Sequence, residues 1–335
     1  MKLLSSIAII LFFIFSFHAK HQKYNEYELT IPAGFPQPKI PKDNLLTTER
    51  IELGKLLFFD PIMSRDSSIS CASCHQPELA FTDGLSKSIG IRDQVVSRNA
   101  PTLTNMAYQD SGLFLDGGVP TLEMQVVVPV QEHSEFDFDL KLIATRMKRD
   151  STYMRLSYLA YNREPSAYVI TRSIASFERT LISGNSRFDE FINGDQGALS
   201  KFEKKGMKLF YNKLNCAKCH SGFNFTNMSL QNNGIYSYPY PLDSGRMRIS
   251  HSEKDRDKFK VPTLRNIELT GPYMHDGSMN SLEEVIEHYD SGGYNHQNKS
   301  NLIQPLNLTK EEKLQLISFL KTLTDFQFID PRNYQ

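Results

Sequence analysis

"CASCH", Cys71 to His75, returns 145 residues later as "CAKCH", Cys216 to His220, and these two pentapeptides hold every cysteine of the chain. A Cys-x-x-Cys pair can be a redox dithiol, half of a zinc site or a haem anchor. Two disulfides would suit an exported protein. One tetrahedral zinc site would use all four thiolates. Neither explains why histidine follows the second cysteine both times. Haem attachment does: each cysteine forms a thioether to a vinyl group, and the next histidine becomes the proximal iron ligand. The motifs therefore predict two covalently bound haem c groups, on Cys71, Cys74 and His75 and on Cys216, Cys219 and His220.

The motifs sit inside a larger repeat. "GKLLF" (Gly54–Phe58) precedes the first and "GMKLF" (Gly206–Phe210) the second. "PTLTN" (Pro101–Asn105) is answered by "PTLRN" (Pro262–Asn266), and "DGGVPTLE" (Asp116–Glu123) by "DGSMNSLE" (Asp276–Glu283). Landmarks recurring in one order indicate a duplicated haem domain. The expected divisions are a first unit over 24–185 and a second over 186–308, with a C-terminal helical segment, 309–335, packing back on the first.

Secondary structure reads as mainly α, in two tandem cytochrome c-like domains. Helices are predicted over Thr48–Phe59 and Ser200–Asn212. Ser281 with Glu284 forms a capping box for a helix running to about Tyr289. Pro165 opens a helix with Ile170, Ile174, Phe177 and Leu181 on one face. "SGNSRFDEFINGDQG" (Ser183–Gly197) reads as the inter-domain linker. Thr309 with Glu312 caps a last helix bearing Leu316, Ile317, Leu320 and Leu323. These stripes are packing faces.

The chain has 335 residues, 40% hydrophobic and 23% charged, with zero formal net charge, so its overall charge argues against a nucleic-acid partner. At the N-terminus, Lys2 precedes an apolar run from Leu3 to Phe17, with Ala19 as a small residue for cleavage. That is the pattern of a secretory signal peptide over 1–19, and the run is shorter than the roughly 20 residues of a spanning helix. The mature protein is expected to be periplasmic.

The duplication also separates the two irons. Thirteen residues after Asp276 lies Tyr289, and thirteen after Asp116 lies Pro129. Tyrosine can bind iron as phenolate, whereas proline has no side-chain donor. A second haem with a sixth ligand and a first haem with an open position are expected. His288 and Met279 are the alternatives to Tyr289.

Taken together, "CASCHQPELAFTDG", "SRNAPTLTN", "FLDGG…LEMQ", "CAKCH" and "VPTLRNIELTGPYMHDG" resemble the bacterial di-haem cytochrome c peroxidases and their MauG-like relatives. The resemblance implies peroxide chemistry at the first haem and electron relay through the second. It places Gln125 and Glu135 over the open iron. Splitting peroxide needs a base to carry a proton from one oxygen to the other, and an acid to release water. It also implies a calcium ion held by the Asn99 side chain and the carbonyls of Thr270 and Pro272; oxygen donors suit calcium. His275 is expected to be structural or to contact a haem propionate.

Three positions depart from the peroxidase pattern. Ile91, in "SIGI", stands where activation-dependent peroxidases carry a histidine that closes the resting iron; His133 is a candidate substitute. Tyr289 stands where those peroxidases have methionine, as in the MauG-like branch. Leu115, beside Phe114, stands where the family often has tryptophan, and this chain has no tryptophan. Three functions follow. One is a peroxidase fed by a small cytochrome c or cupredoxin. Another is a MauG-like oxidase of a protein substrate. The third is a non-enzymatic di-haem electron carrier. A homodimer is one assembly open to the chain.

Overall fold

The computed structural model describes residues 26–109, 112–237 and 243–334. The predicted signal peptide lies outside these residues. Among them are the helices α1 (Thr48–Phe59), α2 (Leu122–Gln125), α3 (Val127–Gln131), α4 (Leu140–Met147), α5 (Ser151–Tyr161) and α6 (Ala167–Glu178). Then follow α7 (Arg187–Ile192), α8 (Lys201–Lys208), α9 (Met247–Ser250), α10 (Leu282–Ser291) and α11 (Lys310–Lys321). One short antiparallel pair joins β1 (Leu230–Gln231) to β2 (Phe259–Lys260), with Leu230 opposite Lys260. The fold is mainly helical, as expected.

The duplication is visible as one helix crossing built twice. Gly54 of α1 lies so close to α6 that a Cβ there would stand 1.9 Å from the Ser173 carbonyl oxygen and 3.0 Å from Phe177 Cβ. Gly206 of α8 meets α11 the same way, 1.9 Å from the Gln315 oxygen and 2.9 Å from Phe319 Cβ. Only glycine lets two backbones approach this far. Around the first crossing, Leu53, Leu57, Phe58, Ile170, Ile174 and Phe177 form one core. Around the second, Phe210, Phe225, Leu316, Phe319 and Leu320 form another.

This symmetry corrects the expected home of the C-terminal segment. Helix α11 is the second unit's counterpart of α6, and its stripe packs into the second core. Only the tail beyond it returns to the first unit, where Phe328 and Tyr334 pack on Phe81 with ring centroids 5.5 and 5.0 Å away. The supposed linker is also structured. Ser186 and Asp189 form a capping box for α7, and Asp189 accepts two bonds from the buried Arg265 guanidinium, at 2.8 and 2.9 Å. The neighbouring Ser183–Asn185 stretch is held by Asn105 and by the Asp325 carboxylate. A buried bidentate pair of this kind orders both of its strands.

Helix ends differ in detail. Helix α6 begins at Ala167 because Ser166, not Pro165, caps it, and Leu181 lies beyond its end. The α8 segment widens into a π-type turn over Leu209–Lys213 before the second Cys-x-x-Cys. At α10, Ser281 accepts from the Glu284 amide (3.2 Å), but the Glu284 carboxylate accepts from the Asn280 amide (2.8 Å), so the box is only half built. That helix runs on to Ser291, where Gly292 ends it at φ +82°. At Thr309 and Glu312 the box is complete.

Candidate haem sites

Each Cys-x-x-Cys forms a single tight turn. The His75 amide donates to the Cys71 carbonyl (3.0 Å) and the His220 amide to the Cys216 carbonyl (2.8 Å). All four thiols are free, and no group of three or more metal-binding side chains gathers among the described residues. The cysteines thus do not converge on one zinc site. The imidazoles are fixed from behind. His75 Nδ1 donates to the Phe81 carbonyl (2.8 Å), and His220 Nδ1 to those of Phe225 (3.1 Å) and Pro262 (3.2 Å). A carbonyl only accepts, so Nδ1 holds the proton and Nε2 keeps its lone pair for iron. Burial pushes the His220 ring down to about 4, leaving it neutral. Sequence reasoning missed these carbonyls. Their signal was a Phe-Thr pair after each motif, Phe81–Thr82 and Phe225–Thr226, both with positive φ at the buried phenylalanine.

Both imidazoles and all four cysteines line one continuous cavity of about 770 Å³ that runs between the units. Gln125, Pro129 and Glu135 line its first-unit end, and Tyr289 its second-unit end. Asn99, Thr270 and Pro272 lie on its wall, as do Phe114, Leu115 and His275. The Asn99 amide nitrogen donates to the Leu85 carbonyl (2.7 Å), which assigns its oxygen to the other side.

Glu135 is held by its backbone. Its amide donates to the Glu132 carbonyl and its carbonyl accepts from the Ile91 amide, each at 3.0 Å. Gly90 makes this contact possible, because a Cβ there would stand 1.9 Å from the Ser134 oxygen. Burial, with a smaller push from the Glu132 charge, moves the Glu135 carboxyl up to about 7. The fully buried Ile91 side chain offers no ligand. His133 is 91% exposed and its ring pairs with Asp137 at 2.7 Å, so it is not part of the cavity wall. The sequence raised it as a substitute lid; solvent and Asp137 claim it instead.

On α10 the two neighbouring candidates differ: His288 Nε2 donates to the Asn233 carbonyl (3.0 Å) and does not line the cavity, while Tyr289 lines it together with Cys216 and Cys219. Burial raises the Tyr289 pKa, and a hydrogen bond with Asn233 offsets part of that rise. Met279 pairs its backbone with Tyr273 and packs on the second core. His275 stacks on Phe259 with centroids 3.6 Å apart and meets the Tyr236 hydroxyl at 3.0 Å, on the cavity wall.

One cavity residue went unread in the sequence. Glu178 of α6 is buried beside Cys71, its Oε2 has no hydrogen-bond partner among the described residues, and burial pushes it up to about 8 despite Arg179. It sits on a stripe that periodicity assigns to packing. An orphaned buried carboxyl, two fixed imidazoles and four free thiols around one apolar cavity fit two covalent haem groups.

Comparison with known proteins agrees. Residues 48–197 match the family profile described as di-haem cytochrome c peroxidase, and 203–324 match that of cytochrome c. The methylamine utilization protein MauG of Methylorubrum extorquens is 37% identical over 298 residues, 88% of this chain and 84% of the relative. The cytochrome c551 peroxidase of Nitrosomonas europaea is 36% identical over 280 residues, 82% and 80% of the two chains. A crystallised MauG-like protein associated with microbial copper homeostasis superposes with a TM-score of 0.87 at 32% identity, covering 92% of this chain and 99% of that one. The chain belongs to the di-haem cytochrome c peroxidase family, which includes the MauG proteins. It is an oxidoreductase of the peroxidase type, and its family carries two haem c groups.

Proposed function

We propose that the chain is an exported, periplasmic peroxidase that reduces hydrogen peroxide to two waters, taking two electrons from a small cytochrome c or cupredoxin and two protons from solvent. The observation that carries this reading is an asymmetry within the repeat. Two anchor turns of the same build line one cavity, yet the repeat sets Tyr289 in the second unit against Pro129 in the first, where Gln125 and Glu135 also line the wall. An electron carrier gains nothing from that difference. The haem groups, when bound, supply the iron redox chemistry; His75 would hold the first, and His220 with Tyr289 the second.

The chain's own groups handle the protons and the water. Pro129 keeps a side-chain donor out of the space above His75. The Glu135 carboxylate takes a proton from one peroxide oxygen and returns it to the other, so that water leaves. Its raised pKa suits both roles near neutrality. The Gln125 amide donates to and accepts from the bound peroxide, fixing its orientation. Valine and phenylalanine side chains on the wall limit access of bulk water. Asn99 Oδ1 with the Thr270 and Pro272 carbonyls is the proposed calcium cradle between the units.

Tyr289 and Ile91 favour a second reading, oxidation of a protein substrate by peroxide, the branch to which MauG belongs. Steady-state peroxide consumption with reduced small cytochromes c and cupredoxins separates the two. Turnover with one of these donors supports the peroxidase. Peroxide consumption that requires a protein substrate, with none of the donors oxidised, overturns it.

A further inference from the structure

At the junction of the units, Lys260 ends β2 and carries its side chain into the cavity wall. Its amide donates to the Leu115 carbonyl at 2.6 Å, and its Nζ donates to Gln109 Oε1 at 2.6 Å. An ammonium has three protons to place. The acid that most influences it, Asp116, is already bonded to Arg98 (2.7 Å) and Arg248 (2.6 Å). Among the described residues no carboxylate pairs with Lys260 directly. Burial accordingly pushes its pKa down to about 8, with Asp116 holding it up only in part. A half-buried ammonium bonded to one neutral amide is poorly compensated until an anion arrives.

The repeat indicates where that anion comes from. Pro101 and Pro262 correspond, 161 residues apart, and the same offset sets Lys260 against Asn99 and Gln109 against Thr270. Asn99 and Thr270 belong to the proposed cation cradle of one half of the junction. In the other half the chain carries its own cation. Haem brings two carboxylates, and the cavity in which both haems would sit reaches this wall.

We propose that Lys260 is a built-in counter-cation for a haem carboxylate at the junction of the two units. The inference rests on the di-haem reading. It assigns Lys260 a positioning and potential-setting role, since a fixed positive charge beside the propionate favours the electron-richer ferrous state. Gln109 orients the ammonium.

Holoprotein carrying Lys260→Gln or Lys260→Arg tests this by spectroelectrochemical titration of both haems. In the Gln variant one midpoint falls by about 59 mV, a tenfold shift in a one-electron equilibrium. The Arg variant holds it close to wild type. In the wild type, the propionate-bending Raman band shifts on transfer to D2O, where the ammonium protons exchange. That measurement decides the matter if the Gln variant does not accumulate. Two haems with unmoved midpoints in the Gln variant, or a Raman band indifferent to D2O, overturn the counter-cation alone. A wild-type chain with fewer than two haems overturns it together with the di-haem reading.

Discussion

Glu135→Gln isolates the proton carrier, because the amide keeps the shape and removes the titration. The carboxyl is anchored through its backbone to Glu132 and Ile91, so the loop is expected to survive the change. Loss of a general acid–base group slows the step it serves by roughly 10²–10⁴-fold, about 3–5 kcal/mol of barrier. Stopped-flow mixing of the oxidised holoprotein with peroxide reads that step directly. Cyanide binding, which needs the open position but no such proton relay, should change far less. The pH profile adds a second test. With the carboxyl pushed up to about 7, its ionised fraction rises from about one-tenth at pH 6 to nine-tenths at pH 8. The base is the deprotonated form, so the rate should climb roughly tenfold over that interval and fall in acid. Burial is the main cause of the shift and Glu132 the second, so Glu132→Gln should move the limb to lower pH. Glu135→Gln should flatten it. Undiminished peroxide cleavage in Glu135→Gln, with the pH limb intact, would refute the assignment and leave Glu135 as a half-buried loop carboxyl.

Four further outcomes are expected. Replacing Cys71 and Cys74 with alanine should leave one covalent haem by intact mass and abolish peroxide reactivity; a remaining mass gain of two haems would contradict the anchor. Tyr289→Phe should change the absorption and low-spin signal of the second haem while His288→Ala does not; the reverse result returns the ligand role to His288. His133→Ala should leave the resting spectrum unaltered and the oxidised protein open to cyanide, whereas loss of a bis-histidine signal would make His133 a lid after all. Gly54→Ala and Gly206→Ala should each cost about 1–3 kcal/mol by overpacking a helix crossing, lowering the thermal midpoint by several degrees; unchanged midpoints would mean that the helices do not meet there.

Much of this protein is decided within a few residues of chain, and that part is legible in the sequence alone. Covalent chemistry ties each haem to one pentapeptide, so Cys71 to His75 and Cys216 to His220 could be read directly. Caps such as Thr309 with Glu312 act across one helical turn, and a duplicated set of landmarks survives as spacing. Phase and partner are different matters. His288 and Tyr289 are adjacent and spacing separates them only slightly as ligands; the packing of α10 gives His288 to the Asn233 carbonyl and sets Tyr289 on the cavity wall. Glu132 and Glu135 read alike as loop charges, and the contact with the Gly90–Ile91 loop buries one of them. The stripe on α11 would fit either core, and Gly206, not the stripe, selects the second. Glu178 and Lys260 were invisible because burial is a property of neighbours. A charge acquires an unusual pKa, and with it a use, only when distant segments remove its water, and sequence order carries no record of which segments those are.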